Sequence, residues 1–200
     1  MRASLPRSRQ ALVTARSTIR TTSQALEDVR GGDGALAEHA RLVREVADEH
    51  GATSFEWTAS PEERAKLWEA RHNVLYATIA SRPGCKAWTS DVCVPIAHLA
   101  ACIIETQQDL AASNLVAPLV GHAGDGNFHL IFMLDPDDPE ELARVAAANH
   151  RLVERALKFG GTCSGEHGVG MGKLKYLERE HGEDALELMR AVKRAFDPGN

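Results

Sequence analysis

Cysteine is scarce in this chain: Cys85, Cys93, Cys102 and Cys163, with no CxxC pair among them. Four such residues cannot make a disulfide scaffold, and a reducing compartment is the simplest reading. No apolar run approaches the ~18 residues of a membrane-spanning helix, so no span is expected. A basic face is also missing from the main body. Residues 1–30 hold six Arg against Glu27 and Asp28, a net of +4, whereas the rest hold 17 bases against 26 acids, or −9. That balance argues against a nucleic-acid partner. No GxGxxG opens a helix after a strand and no Walker loop occurs, so the residues themselves mark no place for a nucleotide. Internal repeats and a low-complexity core are absent too. What is present, 200 residues at 44% apolar and 26% charged, suits one packed domain or part of a larger chain.

Residues 1–33 differ from everything after them. Arg2, Arg7, Arg9, Arg16 and Arg20 alternate with Ser and Thr, and no acid precedes Glu27. The segment reads as a disordered or truncation-derived tail, with a transit-peptide composition as the alternative. Arg30-Gly31-Gly32-Asp33-Gly34 reads as a linker to a domain at 34–200. Leu36, Ala40, Val43 and Ala47 then recur at helical spacing, with Gly51 to end the helix. Thr53–Thr58 is a short strand candidate. Ser60-Pro61-Glu62-Glu63 predicts a helix start, with Ser60 as cap and Glu63 closing a capping box, and the helix runs to Ala80. Lys86–Val94 reads as one strand, followed by a helix bearing Leu99, Ile103, Thr106 and Leu110. Asp138-Pro139-Glu140-Glu141 opens a long helix with Leu142, Val145, Ala148, Leu152 and Ala156 on one stripe, ended by Gly160-Gly161. Two shorter helices follow at roughly 172–181 and 183–196, the second with Leu188, Met189, Val192 and Phe196 facing inward. Trp57, Trp68 and Trp88 are expected in the core or an interface.

Between Leu115–Val120 and Leu130–Leu134, two strand candidates, lies Gly121-His122-Ala123-Gly124-Asp125-Gly126-Asn127-Phe128-His129. Asp125-Gly126 is the pair a type I′ turn prefers, which would oppose His122 to His129 on one face, Cβ atoms about 4.5–5.5 Å apart. A hairpin amid alternating helices and strands predicts an α+β fold, its sheet at least partly antiparallel, with helices on one face. In a second loop, Gly160, Gly161, Gly165, Gly168, Gly170 and Gly172 bracket Glu166-His167. Glycines let backbone approach a ligand closely. Two imidazoles and a carboxylate form a common three-ligand set, so His122, His129 and Glu166 are candidate metal ligands. His167 would then be free to act as a base. The bland readings are a hydrogen-bonded core histidine for each His, a salt-bridged helix residue for Arg71, and a small buried residue for Cys163.

GHAGDGNFH (121–129) together with GGTCSGEHGVGMGK (160–173) closely resembles the C-terminal domain of FAD-linked oxidases. The nearest types are the D-lactate dehydrogenase (cytochrome) and glycolate oxidase flavin-subunit group. LWEARHN (67–73) and RPGCKAWTSDVCVP (82–95) resemble the same group, and the likeness covers roughly 35–200. It implies a ferredoxin-like α+β substrate or cap domain lying over a flavin. It also implies a divalent ion, Zn²⁺ or Mn²⁺, on His122, His129 and Glu166, with His167 as base and Arg71 on the substrate carboxylate. Asn200, in the terminal Asp197-Pro198-Gly199-Asn200 segment, is the residue assigned to the cofactor. The implied reaction is FAD-dependent oxidation of a small D-2-hydroxy acid to the 2-oxo acid. The ion would acidify the C2 hydroxyl while Arg71 fixes the face of C2 presented to the flavin. The family's FAD-binding domain precedes this one and is not in residues 1–33. The chain is therefore expected to be a fragment or half of a split enzyme, inactive alone. Its partners would be a separate FAD-binding domain or an electron-acceptor protein, its location cytoplasmic or the mitochondrial matrix. The competing classes are a metal-dependent hydrolase, against which stands the lack of a second carboxylate to activate water, and an inactive fragment retaining only a metal site.

Overall fold

The structure, a computed structural model, describes residues 33–49, 58 and 60–199. Trp57, Asn200, the stop at Gly51 and all but the last residue of the Thr53–Thr58 strand candidate lie outside that range. The elements are helix α1 (Asp33–Glu49), α2 (Pro61–His72), α3 (Val74–Ala80), strands β1 (Lys86–Thr89) and β2 (Val92–Cys93), α4 (Ile96–Ala112), β3 (Leu119–His122), β4 (Asn127–Leu134), α5 (Pro139–Lys158), α6 (Leu174–His181) and α7 (Glu183–Phe196). This is an α+β fold around one small antiparallel sheet. No described helix is long and apolar enough to cross a membrane.

β4 is the spine, and all eight of its residues are buried. Its even-numbered side chains, Phe128, Leu130, Phe132 and Leu134, pack against Cys102 and Leu110 of α4 and Val145, Leu152 and Ala156 of α5. The odd-numbered face carries Asn127 and His129, polar yet buried. Sequence and burial agree here because α4 and α5 keep their apolar residues at helical spacing. Asp138 starts α5 by accepting from the amides of Glu140 and Glu141 at 2.9 and 3.0 Å.

The expected strand Lys86–Val94 is cut in two. Lys86 pairs with Leu134 and Thr89 with Ile131; beyond the break, Val92 pairs with Phe128 and Cys93 with Asn127. The offset is the same on both sides, so β1 and β2 are two pieces of one edge strand, interrupted only at Ser90-Asp91. The expected helix 61–80 is also divided, at Asn73, whose amide closes α2 onto Glu69 and Arg71 carbonyls. Ser60 caps α2 by accepting from the Glu63 amide, but the reciprocal half of the capping box is not made. Glu63 instead takes the Thr58 hydroxyl.

The last helix departs further. Leu188, Met189, Val192 and Phe196 form the expected stripe, but they are exposed rather than inward, Phe196 at 88%. Periodicity establishes that a helix has an apolar face, not what covers it; within the described residues α7 lies mainly against α6. Trp88, expected in the core or an interface, is 38% exposed. Asp33 and Gly34 belong to the first turn of α1 rather than to a linker.

Candidate active site

The hairpin carrying both histidines has a longer turn than the Asp125-Gly126 pair suggests. Ala123–Asp125 form one 3-10 turn, closed by Gly126 at φ 75°. His122 therefore opposes Asn127, and His129 opposes Val120. The register differs from the expected one by two residues, a full pleat period, so both histidines keep the same face. They become diagonal neighbours, ring centroids 6.3 Å apart and planes at 87°. Gly126 is needed twice over. Its left-handed backbone ends the turn, and a Cβ there would lie 2.0 Å from the Val94 carbonyl oxygen.

The second loop is delivered by the end of α5. Gly160, at φ 74°, donates to Leu157 O at 3.0 Å, and Gly161 donates to Ala156 O at 2.9 Å, the two bonds of a Schellman end. Thr162 then pairs with Cys93, its amide donating to Cys93 O at 2.8 Å. From this anchor the chain wraps Ser164–His167 around the kink in the edge strand.

At that kink sits Asp91, in the middle of the expected Lys86–Val94 strand. Its side chain is fully buried. The carboxylate accepts from Asn127 Nδ2 at 2.9 Å, the Glu166 amide at 3.2 Å, the His167 amide at 3.0 Å, Ser164 Oγ at 3.1 Å and Lys173 Nζ at 3.0 Å. Burial pushes its pKa up, but the His167 amide, Asn127 and Lys173 outweigh that and hold it well below the usual carboxylate range. The available signal was an aspartate inside a strand of Trp, Thr and Val residues, where Asp is depleted. Asp91 holds Glu166 and His167 by their backbones, leaving both side chains free to face the histidines of the hairpin.

Glu166 Oε1 lies 2.9 Å from His129 Nε2, 3.8 Å from His122 Nε2 and 3.7 Å from His167 Nε2. The loop and the hairpin thus bring together all three sequence-derived ligand candidates and the proposed base. His129 Nδ1 is 3.1 Å from the Ser90 carbonyl oxygen. A carbonyl can only accept, so Nδ1 carries the hydrogen, and burial keeps the ring's pKa below its ordinary value despite that bond. Neutral His129 then turns an Nε2 lone pair toward a carboxylate oxygen at 2.9 Å. Two acceptors in that position call for a cation or a proton between them. Ligands about 2.0–2.2 Å from one ion and about 90–109° apart lie roughly 2.8–3.6 Å from each other. His129 and Glu166 at 2.9 Å fit that range, and His122, partly exposed and 3.8 Å from Glu166, would complete a divalent-ion set by a small inward shift of its ring. A second group, Asp91, His129 and His167, also has ligand atoms within reach of one another. Asp91 already has five donors on its two oxygens and is a poor ligand.

Two further residues shape the site. Arg71 Nη2, from the last turn of α2, lies 3.1 and 3.3 Å from the ring nitrogens of His122. Its guanidinium sits 5.6 Å from the centroid of Trp68. His167 stacks on His129 at 4.8 Å with planes 2° apart. Asn127 donates both amide hydrogens, to Asp91 and to Val92 O, and its Oδ1 is a buried acceptor without a partner among the described residues. Flipping the amide would turn its oxygen on the Asp91 carboxylate, so the orphan is fixed in place. Cys163 is buried behind the loop, its thiol pushed up to about 11 chiefly by burial, and it takes no part.

The chain is similar to proteins already known. The family model for "FAD linked oxidases, C-terminal domain" matches residues 11–200. A probable mitochondrial D-lactate dehydrogenase of Danio rerio is 44% identical over 173 residues, covering 86% of this chain and 35% of that protein. A mitochondrial D-lactate dehydrogenase [cytochrome] of Arabidopsis thaliana is 41% identical over 170 residues, 85% of this chain and 30% of that one. The glycolate oxidase subunit GlcD of Bacillus subtilis is 34% identical over 159 residues, 79% and 33% respectively. The chain spans about a third of the length of these relatives. With the family model matched over nearly its whole length, the chain belongs to the FAD-linked oxidase C-terminal domain family.

Proposed function

We propose that this chain supplies the substrate- and metal-binding half of a flavin-dependent dehydrogenase acting on a small D-2-hydroxy acid of the D-lactate kind. The observation that carries the reading is the facing pair of acceptors, His129 Nε2 and Glu166 Oε1 at 2.9 Å, with His122, His167 and Arg71 around them. His122, His129 and Glu166 would hold the divalent ion, which when bound supplies Lewis-acid polarisation of the substrate hydroxyl. Arg71 presents a guanidinium edge at the rim of the site, suited to a carboxylate. His167, half exposed and stacked on His129, is placed to take the C2 hydroxyl proton at a ring nitrogen. Asn127 Oδ1 offers a buried acceptor on the same strand face.

Among the described residues no glycine turn leads from a strand into a helix N-terminus, the usual seat for a dinucleotide pyrophosphate. In the proposed enzyme the flavin, which supplies hydride acceptance, is held by polypeptide outside this segment, in a mitochondrial setting like that named for the D-lactate relatives. The hydrolase alternative loses ground for a specific reason. A second carboxylate does stand beside the site, but Asp91 is buried and engaged by five donors, so it cannot activate water. The purified chain should show no flavin absorbance and no D-lactate-dependent dichlorophenolindophenol reduction. The same segment joined to a family flavin domain should reduce the dye, and His167→Gln in that assembly should lower kcat by about 10²–10⁴-fold. Turnover by the chain alone with stoichiometric FAD would contradict the division of labour, and unchanged kcat in His167→Gln would contradict the base.

A further inference from the structure

We propose that Ser90 is a positioning residue of this site: its hydroxyl replaces its own carbonyl in the sheet, freeing that carbonyl to fix His129 as the Nδ1–H tautomer. The inference rests on reading His129 as a ligand through Nε2. The common offset of β1 and β2 sets Ser90 opposite Leu130 on β4. A hydrogen-bonded antiparallel pair exchanges two backbone bonds. One is made, Ser90 N to Leu130 O at 2.9 Å. The other is not: the Leu130 amide donates to Ser90 Oγ at 2.8 Å. The displaced Ser90 carbonyl turns to His129 and accepts from Nδ1 at 3.1 Å.

The exchange occurs where water cannot stand in, since Ser90 is 3% and Leu130 1% exposed. Nor is there a second acceptor for Nδ1 among the described residues. Asp91 Oδ1 lies 3.7 Å away, beyond hydrogen-bond reach, and that oxygen already receives Asn127. The hydroxyl therefore solves two accounting problems at once: it satisfies a buried amide, and it leaves a buried carbonyl free for the ring. With Ser90→Ala the same carbonyl is asked to serve both the Leu130 amide and His129. The buried Leu130 amide has to be paired, so the carbonyl is drawn back into the ladder and its bond to the ring is weakened.

Long-range ¹H–¹⁵N spectra of the imidazoles test this without any metal. In the wild-type chain His129 should be the Nδ1–H tautomer. Ser90→Ala should give a mixture of tautomers, and Ser90→Thr, which keeps a γ-oxygen, should restore the wild-type pattern. Zn²⁺ titration should then show a 10–100-fold weaker ion in Ser90→Ala and recovery in Ser90→Thr. Wild-type His129 found as the Nε2–H tautomer overturns the inference with no variant needed, as does Ser90→Ala with an unchanged tautomer. If no chain binds Zn²⁺ or Mn²⁺, the metal reading falls, while the tautomer spectra still decide the role of Ser90.

Discussion

Replacing Asp91 by Asn keeps the shape of the side chain and removes its charge, and the structure sets the cost. The carboxylate accepts from five donors, and Oδ2 alone receives His167 N, Ser164 Oγ and Lys173 Nζ. An amide NH₂ placed there would face the His167 N–H and the Lys173 ammonium. Placed at Oδ1 it would face Asn127 Nδ2 and the Glu166 amide. Either orientation leaves at least two donors unpaired and Lys173 without its counter-charge. Breaking a buried pair by removing one partner costs about 3–5 kcal/mol. Lys173 is 20% exposed and can recover some hydration, so about 3–4 kcal/mol is expected. For a domain of this size that is a fall in Tm of roughly 6–16 °C. Urea unfolding followed by far-UV circular dichroism measures it, and the same samples titrated with Zn²⁺ should bind more weakly because the Glu166 and His167 backbones are released. Lys173→Met alone should cost less, about 1–2 kcal/mol, since Asp91 keeps four donors. The double variant should cost less than the sum. Asp91→Asn within about 1 kcal/mol of wild type, with unchanged Zn²⁺ affinity, would refute the assignment of Asp91 as the anchor of the loop.

Other consequences are equally direct. Arg71→Met should leave Zn²⁺ affinity unchanged or severalfold tighter, since it removes a cation from beside His122, while raising KM for D-lactate at least tenfold in the flavin-loaded assembly; loss of the ion would make Arg71 a structural support instead. Gly165→Ala would place a Cβ 1.9 Å from Asn127 Nδ2 and 2.9 Å from Asp91 Oδ1, so about 1–3 kcal/mol of stability and the ion should be lost together. The folded pKa values of Asp91, Asp109, Glu141 and Glu180 are all lowered, Glu141 mainly by Arg82 and the others by donors that outweigh burial. Their stabilisation is complete above about pH 4.5 and is lost as pH falls through the folded values. His129, also lowered, adds a loss beginning below about pH 6.5, because only the unfolded ring takes up the proton. The metal-free Tm should therefore fall steadily from about pH 6.5 downward, and a Tm flat to pH 3 would contradict the sign.

How much of this was legible in the sequence differs by element. α4 and α5 were readable because both burial and periodicity come from the same apolar spacing. The ligand candidates were readable because a two-residue error in the hairpin register leaves side-chain parity intact, so His122 and His129 met even though the turn was wrong. Asp91 and Ser90 were not readable as site residues. Their roles depend on a kink that spends a side chain where the sheet would spend a carbonyl, and on a loop arriving from 75 residues away. The face of α7 was not legible for a different reason: a stripe of Leu188, Met189, Val192 and Phe196 records amphipathicity and carries no information about its cover.

The central claim is that His122, His129 and Glu166 converge on one divalent ion beside His167. X-ray absorption at the zinc edge of the Zn²⁺-loaded chain tests it most directly. The expected spectrum has two imidazole nitrogens at about 2.0–2.1 Å and a carboxylate oxygen at about 2.0–2.2 Å, one ion per chain. His129→Ala should remove one imidazole contribution and the stoichiometric ion with it. A first shell lacking two imidazoles, or one unchanged in His129→Ala, would contradict the claim.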